Sequence, residues 1–273
     1  LLHESLIYDA IIYIYACSIL LYFADFINRS RKVNRTAFWL LAVVWALQSV
    51  FFGISMMEKE YFPVLTLFET LFFYSWILVT MSLVINYFFR IDLLVFFTNV
   101  IGFSVLAINF FANQNASPMV AERLTSELLF IHVSIAFVSY GAFSLSFIFS
   151  LMYLVEDRML KQKMWNKWLH RLPGLGLLDL YSYRLNMAGV PLLLLAIILG
   201  TIWAHLKVPG DFWIDPKVLM SVGVLIAYSL YLYQRVTYGW AGRKLALWNA
   251  GTFMLVLVNY LISGSVSSFH QWL

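Results

Sequence analysis

Residues 183–206 read Tyr183-Arg-Leu-Asn186-Met-Ala-Gly-Val-Pro191-Leu-Leu-Leu-Leu-Ala196-Ile-Ile-Leu-Gly200-Thr-Ile-Trp203-Ala-His205-Leu206. No ionisable side chain interrupts the stretch between Arg184 and His205. An apolar run of about 20 residues, rising 1.5 Å per residue, is long enough to cross the ~30 Å hydrocarbon core of a bilayer, so this stretch reads as a transmembrane helix. Similar runs recur on both sides of it. They predict helices near 5–27, 36–57, 63–89, 91–111, 124–155, 183–206, 217–237 and 246–270. The fifth exceeds the bilayer and is expected to continue into the cytoplasm. The faintest boundary lies between the third and fourth, where Asn86, Arg90 and Asp92 are the only turn signal.

Composition agrees with this reading. Hydrophobic residues make up 62% of the 273 and charged residues only 12%, against about 25% charged in an ordinary soluble domain. A water-soluble core cannot hide that much apolar surface. The expected fold is therefore all-α and integral to the membrane, an eight-helix transmembrane bundle forming a single domain over 1–273 with no internal repeat. The first run is too long, and followed by too many others, for a cleaved signal peptide. Cys17 is the one cysteine, which excludes an intrachain disulfide, a CxxC pair and a thiolate cluster.

Lysine and arginine orient the bundle, because cytoplasmic loops hold the excess. One set of alternate loops carries Arg29, Arg31, Lys32, Arg35, Arg90, Arg158, Lys161, Lys163, Lys167, Arg171, Arg184, Arg235, Arg243 and Lys244; the other carries only Lys59, Arg123, Lys207 and Lys217. The first set is assigned to the cytoplasm and both termini to the outside. The net charge of +4 thus reports topology, and no nucleic-acid partner is expected. The only sizeable cytoplasmic segment, about 156–182, places Trp165 and Trp168 among its basic residues and is broken by Pro173, Gly174 and Gly176. Such a segment is either an interfacial stretch drawn to anionic membrane lipid or a docking site for a partner.

Polar groups at membrane depth are costly and mark sites when they face the bundle. Glu69 follows Pro63, which suits the first turn of the third helix, and is expected ~9 Å below its outer end. It either knits helices together as a hydrogen-bonded acid or belongs to a ligand site. His132 follows Thr125-Ser126-Glu127, a helix start, and lies about two turns in. His270 ends the eighth helix on the same side, and His205 caps the sixth. His3 is in the N-terminal tail and His170 in the basic segment. A lone histidine at a helix end is an interfacial or hydrogen-bonded side chain or a ligand; two at one depth can coordinate a metal or a haem iron. There is neither a third zinc ligand nor an HExxH.

The stretch from Trp203 to Lys217, about 203–217, is read as an external loop holding Trp203, His205, Lys207, Asp211, Phe212, Trp213, Asp215 and Lys217. Tryptophans there are either belt residues or a flat apolar wall with cationic rims suited to an amphipathic porphyrin. Trp203-Ala followed by Trp213-Ile-Asp215-Pro216-Lys217 resembles the tryptophan-rich WWD region of the CcsA-type cytochrome c assembly and haem-handling proteins. Pro63 to Glu69, His132 with Ser139-Tyr140-Gly141, Tyr228 to Arg235, and Ser268-Phe269-His270 are similar to that family's pattern in order. Within the family the chain resembles the small eight-helix members encoded beside tetrapyrrole-biosynthesis genes in Gram-positive bacteria.

The resemblance implies a non-enzymatic protein that binds a b-type, non-covalent haem on the outer face of a bacterial cytoplasmic membrane. His132 and His270 are implied as axial ligands of the haem iron. Trp203, Trp213, Asp215, Lys217 and Glu69 are implied around the cofactor. It further implies a role in haem handling, cytochrome c biogenesis or control of tetrapyrrole synthesis through the level of glutamyl-tRNA reductase. The alternatives are a haem exporter, or a haem lyase subunit that works with a cytochrome c assembly partner to deliver haem to apocytochrome c. Two departures set the implied role at haem binding. Lys207-Val208-Pro209-Gly210 replaces the family's further tryptophans and glycines, and no histidine lies deep in the cytoplasmic half of a helix. Export would need a polar path, whereas the helices offer mainly the isolated Asn99, Asn109, Asn186, Asn249 and Asn259.

Overall fold

The computed structural model describes residues 2–59, 62–64, 66–89, 91–108, 127–163, 171–207 and 212–266. Among the described residues there are eight α-helices and no strand. They fall into two compact units, 1–125 and 126–273.

The first unit contains α1 (Leu2–Asn28), α2 (Arg31–Lys59), α3 (Leu67–Phe89) and α4 (Asp92–Ile108). On α1 the buried residues are Tyr8, Ile11, Tyr15, Ser18 and Tyr22, and on α2 they are Ala37, Leu41, Val44, Gln48, Phe51 and Ser55. Both series step by three and four, the spacing that lets two helices interlock along a narrow seam. Polar side chains tie this unit across its helices. The Tyr15 hydroxyl donates to Asn99 Oδ1 at 2.8 Å, Asn99 Nδ2 to Ser82 Oγ at 2.9 Å, and the Tyr8 hydroxyl to the Leu106 carbonyl at 2.9 Å. Gly102 leaves room for Tyr15, since a Cβ there would stand 2.6 Å from its hydroxyl. The turn from α1 to α2 passes through Arg29 at φ 46°, and Asp25 holds it by accepting from the Ser30 backbone N–H and from Asn34 Nδ2.

The second unit contains α5 (Glu127–Lys161), α6 (Leu175–Lys207), a 3-10 turn (Phe212–Ile214), α7 (Pro216–Tyr238) and α8 (Arg243–Val266). With 35 and 33 residues, α5 and α6 are each ~50 Å long, well beyond the hydrocarbon thickness. Buried positions on α6 run Leu178, Ser182, Asn186, Gly189, Leu193, Ala196, Trp203 and Ala204. This stripe faces α5. The Ser139 hydroxyl donates to the Gly189 carbonyl at 2.9 Å, and the Phe143 ring fills the space a Cβ at Gly189 would take. Phe143 stacks in turn on Tyr228 of α7, with 3.8 Å between centroids. Nearby, Asn249 Nδ2 of α8 reaches Ser146 Oγ at 2.8 Å and Ser150 Oγ at 2.7 Å, while Asn186 Nδ2 donates to Asn249 Oδ1 at 3.2 Å. In lipid, where apolar side chains gain little by leaving one membrane-like environment for another, such a knot and close packing hold helices together.

Six helices, α1, α2, α3, α5, α6 and α7, are long and apolar enough to cross a membrane by length and composition. The other two are α4, apolar but only 17 residues, and α8. The structure also moves three expected boundaries. α3 begins at Leu67, so Pro63 precedes the helix instead of opening it. The basic segment 156–182 is largely helical at its flanks, because α5 runs to Lys161 and α6 starts at Leu175; residues 164–170, with His170, lie outside the described residues. The 203–217 stretch is not one loop. Trp203 to Lys207 form the last turn of α6, and Pro216 and Lys217 open α7.

Candidate functional site

His132 lies in the second turn of α5 and meets the backbone of α6. Its Nδ1 is 2.6 Å from the Ala196 carbonyl oxygen. A carbonyl oxygen can only accept, so Nδ1 carries the proton, and in the neutral imidazole Nε2 then keeps its lone pair. The ring lies flat in a slot that exists because residue 200 is glycine: a Cβ there would stand 2.6 Å from His132 Cε1, 2.8 Å from Nδ1 and 3.1 Å from Nε2. An imidazole that donates one nitrogen to a backbone carbonyl and offers the other is the usual form of a metal-bound histidine. The donor chemistry therefore fits an axial ligand.

Ala196, Gly200 and Trp203 share one face of α6, spaced by four and three. Trp203 is 6% exposed, and its indole N–H has no acceptor among the described residues. A buried donor left unpaired costs about 1–3 kcal/mol. Trp213 differs from it: it sits in the 3-10 turn and is 59% exposed. Lys217 stands in the first turn of α7. Asp215 has a local task. Its Oδ1 accepts the Lys217 backbone N–H at 2.9 Å, making it the N-cap of α7 with Pro216 next in the helix. That cap fixes where the turn bearing Trp213 leaves the helix.

The remaining candidates separate. His205 is exposed in the last turn of α6. His270, in 267–273, lies outside the described residues. Glu69 belongs to the first unit and is placed otherwise than expected, in the first turn of α3 and not two turns in. The Thr66 hydroxyl accepts the Glu69 backbone N–H at 3.1 Å, and Glu69 Oε2 accepts the Thr66 backbone N–H at 3.1 Å. This is a reciprocal capping box. Glu69 Oε1 also accepts from Lys59 Nζ at the end of α2, so both carboxylate oxygens hold the α2–α3 junction. The Ser139-Tyr140-Gly141 motif likewise packs helices, with Ser139 on Gly189 and the Tyr140 hydroxyl accepting from Asn259 Nδ2 at 3.3 Å.

Ala196 and Gly200 were not singled out by sequence reasoning, although Ala196, Gly200 and Ala204 form a small-xxx-small-xxx-small series, a known signature of close helix approach in membranes. Among the described residues no group of three or more His, Cys, Asp or Glu side chains is arranged to hold a metal ion.

A helical chain with several membrane-length spans and a backbone-anchored histidine defines a multi-pass membrane protein with a ligand-ready imidazole. Residues 64–270 match the family model of the cytochrome C assembly protein, and the chain belongs to that family. It is 54% identical to Protein HemX of Brevibacillus brevis, over 97% of each chain. It is 48% identical to Protein HemX of Bacillus subtilis (strain 168), over 96% of this chain and 95% of that one. The cytochrome c biogenesis protein CcsA of Trieres chinensis is 29% identical over 74% of each. The family model is named for cytochrome c assembly and the CcsA relative for cytochrome c biogenesis, and none of these names denotes a catalysed reaction.

Proposed function

We propose that this chain binds haem at the outer end of its second unit and acts in haem handling and the control of tetrapyrrole synthesis, as an accessory protein and not an enzyme. The reading rests on one observation above all: His132 has Nδ1 committed to the Ala196 carbonyl, and Nε2 is left to ligate. His270, inside the family match, is the second ligand. Fourteen of the 18 basic residues fall in one set of alternate loops, which supports eight spans with both termini outside a bacterial cytoplasmic membrane. In that orientation His132, Trp203, Trp213 and Lys217 share the outer side.

When bound, haem would supply an iron that takes imidazole nitrogen, and His132 and His270 would hold it. The chain's own residues do the rest. Trp203 offers its unpaired indole N–H to an acceptor on the ligand, Trp213 gives a flat apolar surface, and Lys217 gives a cation for a carboxylate. Asp215 keeps the turn in place. On the cytoplasmic side, the basic segment around 156–182 is the surface through which occupancy is reported to glutamyl-tRNA reductase or its protease. Such a report requires haem to bind two states of the protein with different affinity.

The absorption spectrum of freshly purified protein tests ligand and ligation together. A low-spin bis-imidazole spectrum is expected, altered or abolished by His132→Ala and by His270→Ala. Unchanged absorption in both variants removes the proposal.

A further inference from the structure

The second unit contains a device that acts on His132 without touching a ligand. The Ala196 carbonyl sets which nitrogen is protonated, and the missing side chain at Gly200 sets where the ring lies. We infer that Gly200 is a positioning residue: its bare Cα forms a slot in α6 that holds the His132 imidazole against the helix backbone and presents Nε2 in one fixed tautomer and direction. The role of Nε2 rests on the haem reading above, but the placement of the ring does not.

The geometry makes the demand steep. A single added carbon at residue 200 would meet three ring atoms at 2.6, 2.8 and 3.1 Å. Two of these lie below the closest approach real Cβ atoms make and the third is tight, and the ring is anchored at 2.6 Å on the same helix. The atoms in the way belong to a planar ring clamped between two helices, which cannot flex aside as a lysine tip would. Alanine at 200 must therefore swing His132 out of the slot or push α5 from α6, and either breaks the Nδ1 hydrogen bond. Two other glycines of the unit do not meet a histidine. Gly189 makes an equally tight approach, 2.6 Å, but to Phe143, and Gly223 has nothing within 4 Å.

The test uses full-length protein labelled with 15N at histidine, with His132 assigned from His132→Gln. Wild type, without haem, is expected to give a protonated Nδ1 protected from exchange. Gly200→Ala should lose that protection or mix the two tautomers, while Gly189→Ala and Gly223→Ala keep it. Titration with haem should then show affinity reduced by at least about ten-fold in Gly200→Ala, the scale seen when the outer hydrogen bond of a ligating histidine is removed. Circular dichroism and thermal unfolding establish that each variant is folded. If folded Gly200→Ala retains the wild-type His132 signals, or Gly189→Ala disturbs them as much, the inference is overturned. Wild-type protein that shows the protected tautomer but binds no haem overturns the haem reading and leaves the slot established.

Discussion

Lys59 Nζ lies 2.8 Å from Glu69 Oε1, a pair in which the lysine is 29% exposed and the glutamate 3%. The imbalance decides which partner matters more. Removing the lysine takes the cation from a carboxylate buried away from water, whereas removing the glutamate leaves an ammonium that can reach solvent. Lys59→Met is expected to cost about 1–3 kcal/mol and Thr66→Ala, which deletes half of the capping box, about 1 kcal/mol. Thermal unfolding in detergent with a double-mutant cycle checks this. Strict additivity of Lys59→Met and Glu69→Gln refutes the pairing.

Asp215 accounts for the start of α7 as a cap, and a cap can be separated from a ligand contact. Asparagine caps nearly as well as aspartate, and alanine does not. Asp215→Ala should lose about 1 kcal/mol of stability and Asp215→Asn much less. Equal loss in both would point to the charge and away from the cap.

The Asn249 knot joins α5, α6 and α8 through Ser146, Ser150, Ser182 and Asn186. Interhelical hydrogen bonds in membranes average about 0.6 kcal/mol each, but Asn249→Leu removes several at once and leaves Asn186 Nδ2 without its acceptor. A loss of about 2 kcal/mol is expected, against less than 1 kcal/mol for Ser150→Ala, whose partners retain one another. Steric trapping or reversible unfolding in detergent measures both. Identical losses for the two variants would show that the asparagine is not the hub.

Asp179 performs two tasks at the other end of α6. It pairs with Arg235 of α7 at 2.6 Å and accepts the Gly242 backbone N–H at 3.1 Å, where α8 begins. Arg235 also lies 4.7 Å from the centre of the Tyr183 ring, a stacking that lysine does not reproduce. Asp179→Ala should loosen the turn between α7 and α8, where Gly239 and Gly242 both adopt positive φ. Limited trypsin digestion at Arg243 and Lys244 is expected to speed up several-fold in Asp179→Ala and in Arg235→Lys. Unaltered cleavage rates would contradict the arrangement.

Much of this was legible in the sequence because hydrocarbon imposes a simple rule: apolar runs of membrane length are helices. What stayed hidden was polar. Leu175 to Ser182 looked like loop because Pro173 and Gly174 precede it and Gly176 sits within it, yet Asp179 is consumed by Arg235 and the stretch winds as the first turns of α6. Thr66-Leu-Phe-Glu69 spelled a capping box, but Pro63 offered an earlier helix start and competed with it. His132 was found from its place near a helix start and from family likeness. Its anchor was not, because the acceptor is a main-chain oxygen, which no residue type announces.

That last point bears on how the chain tolerates mutation. Hydrogen-bond partners made of side chains can be deleted by one codon change, but every amino acid that replaces Ala196 still brings its carbonyl. The acceptor for His132 is therefore beyond the reach of point substitution. Vulnerability is displaced to Gly200, where any exchange adds at least a carbon. A mutational scan of this helix should accordingly find its sharpest intolerance at a residue with no functional group at all.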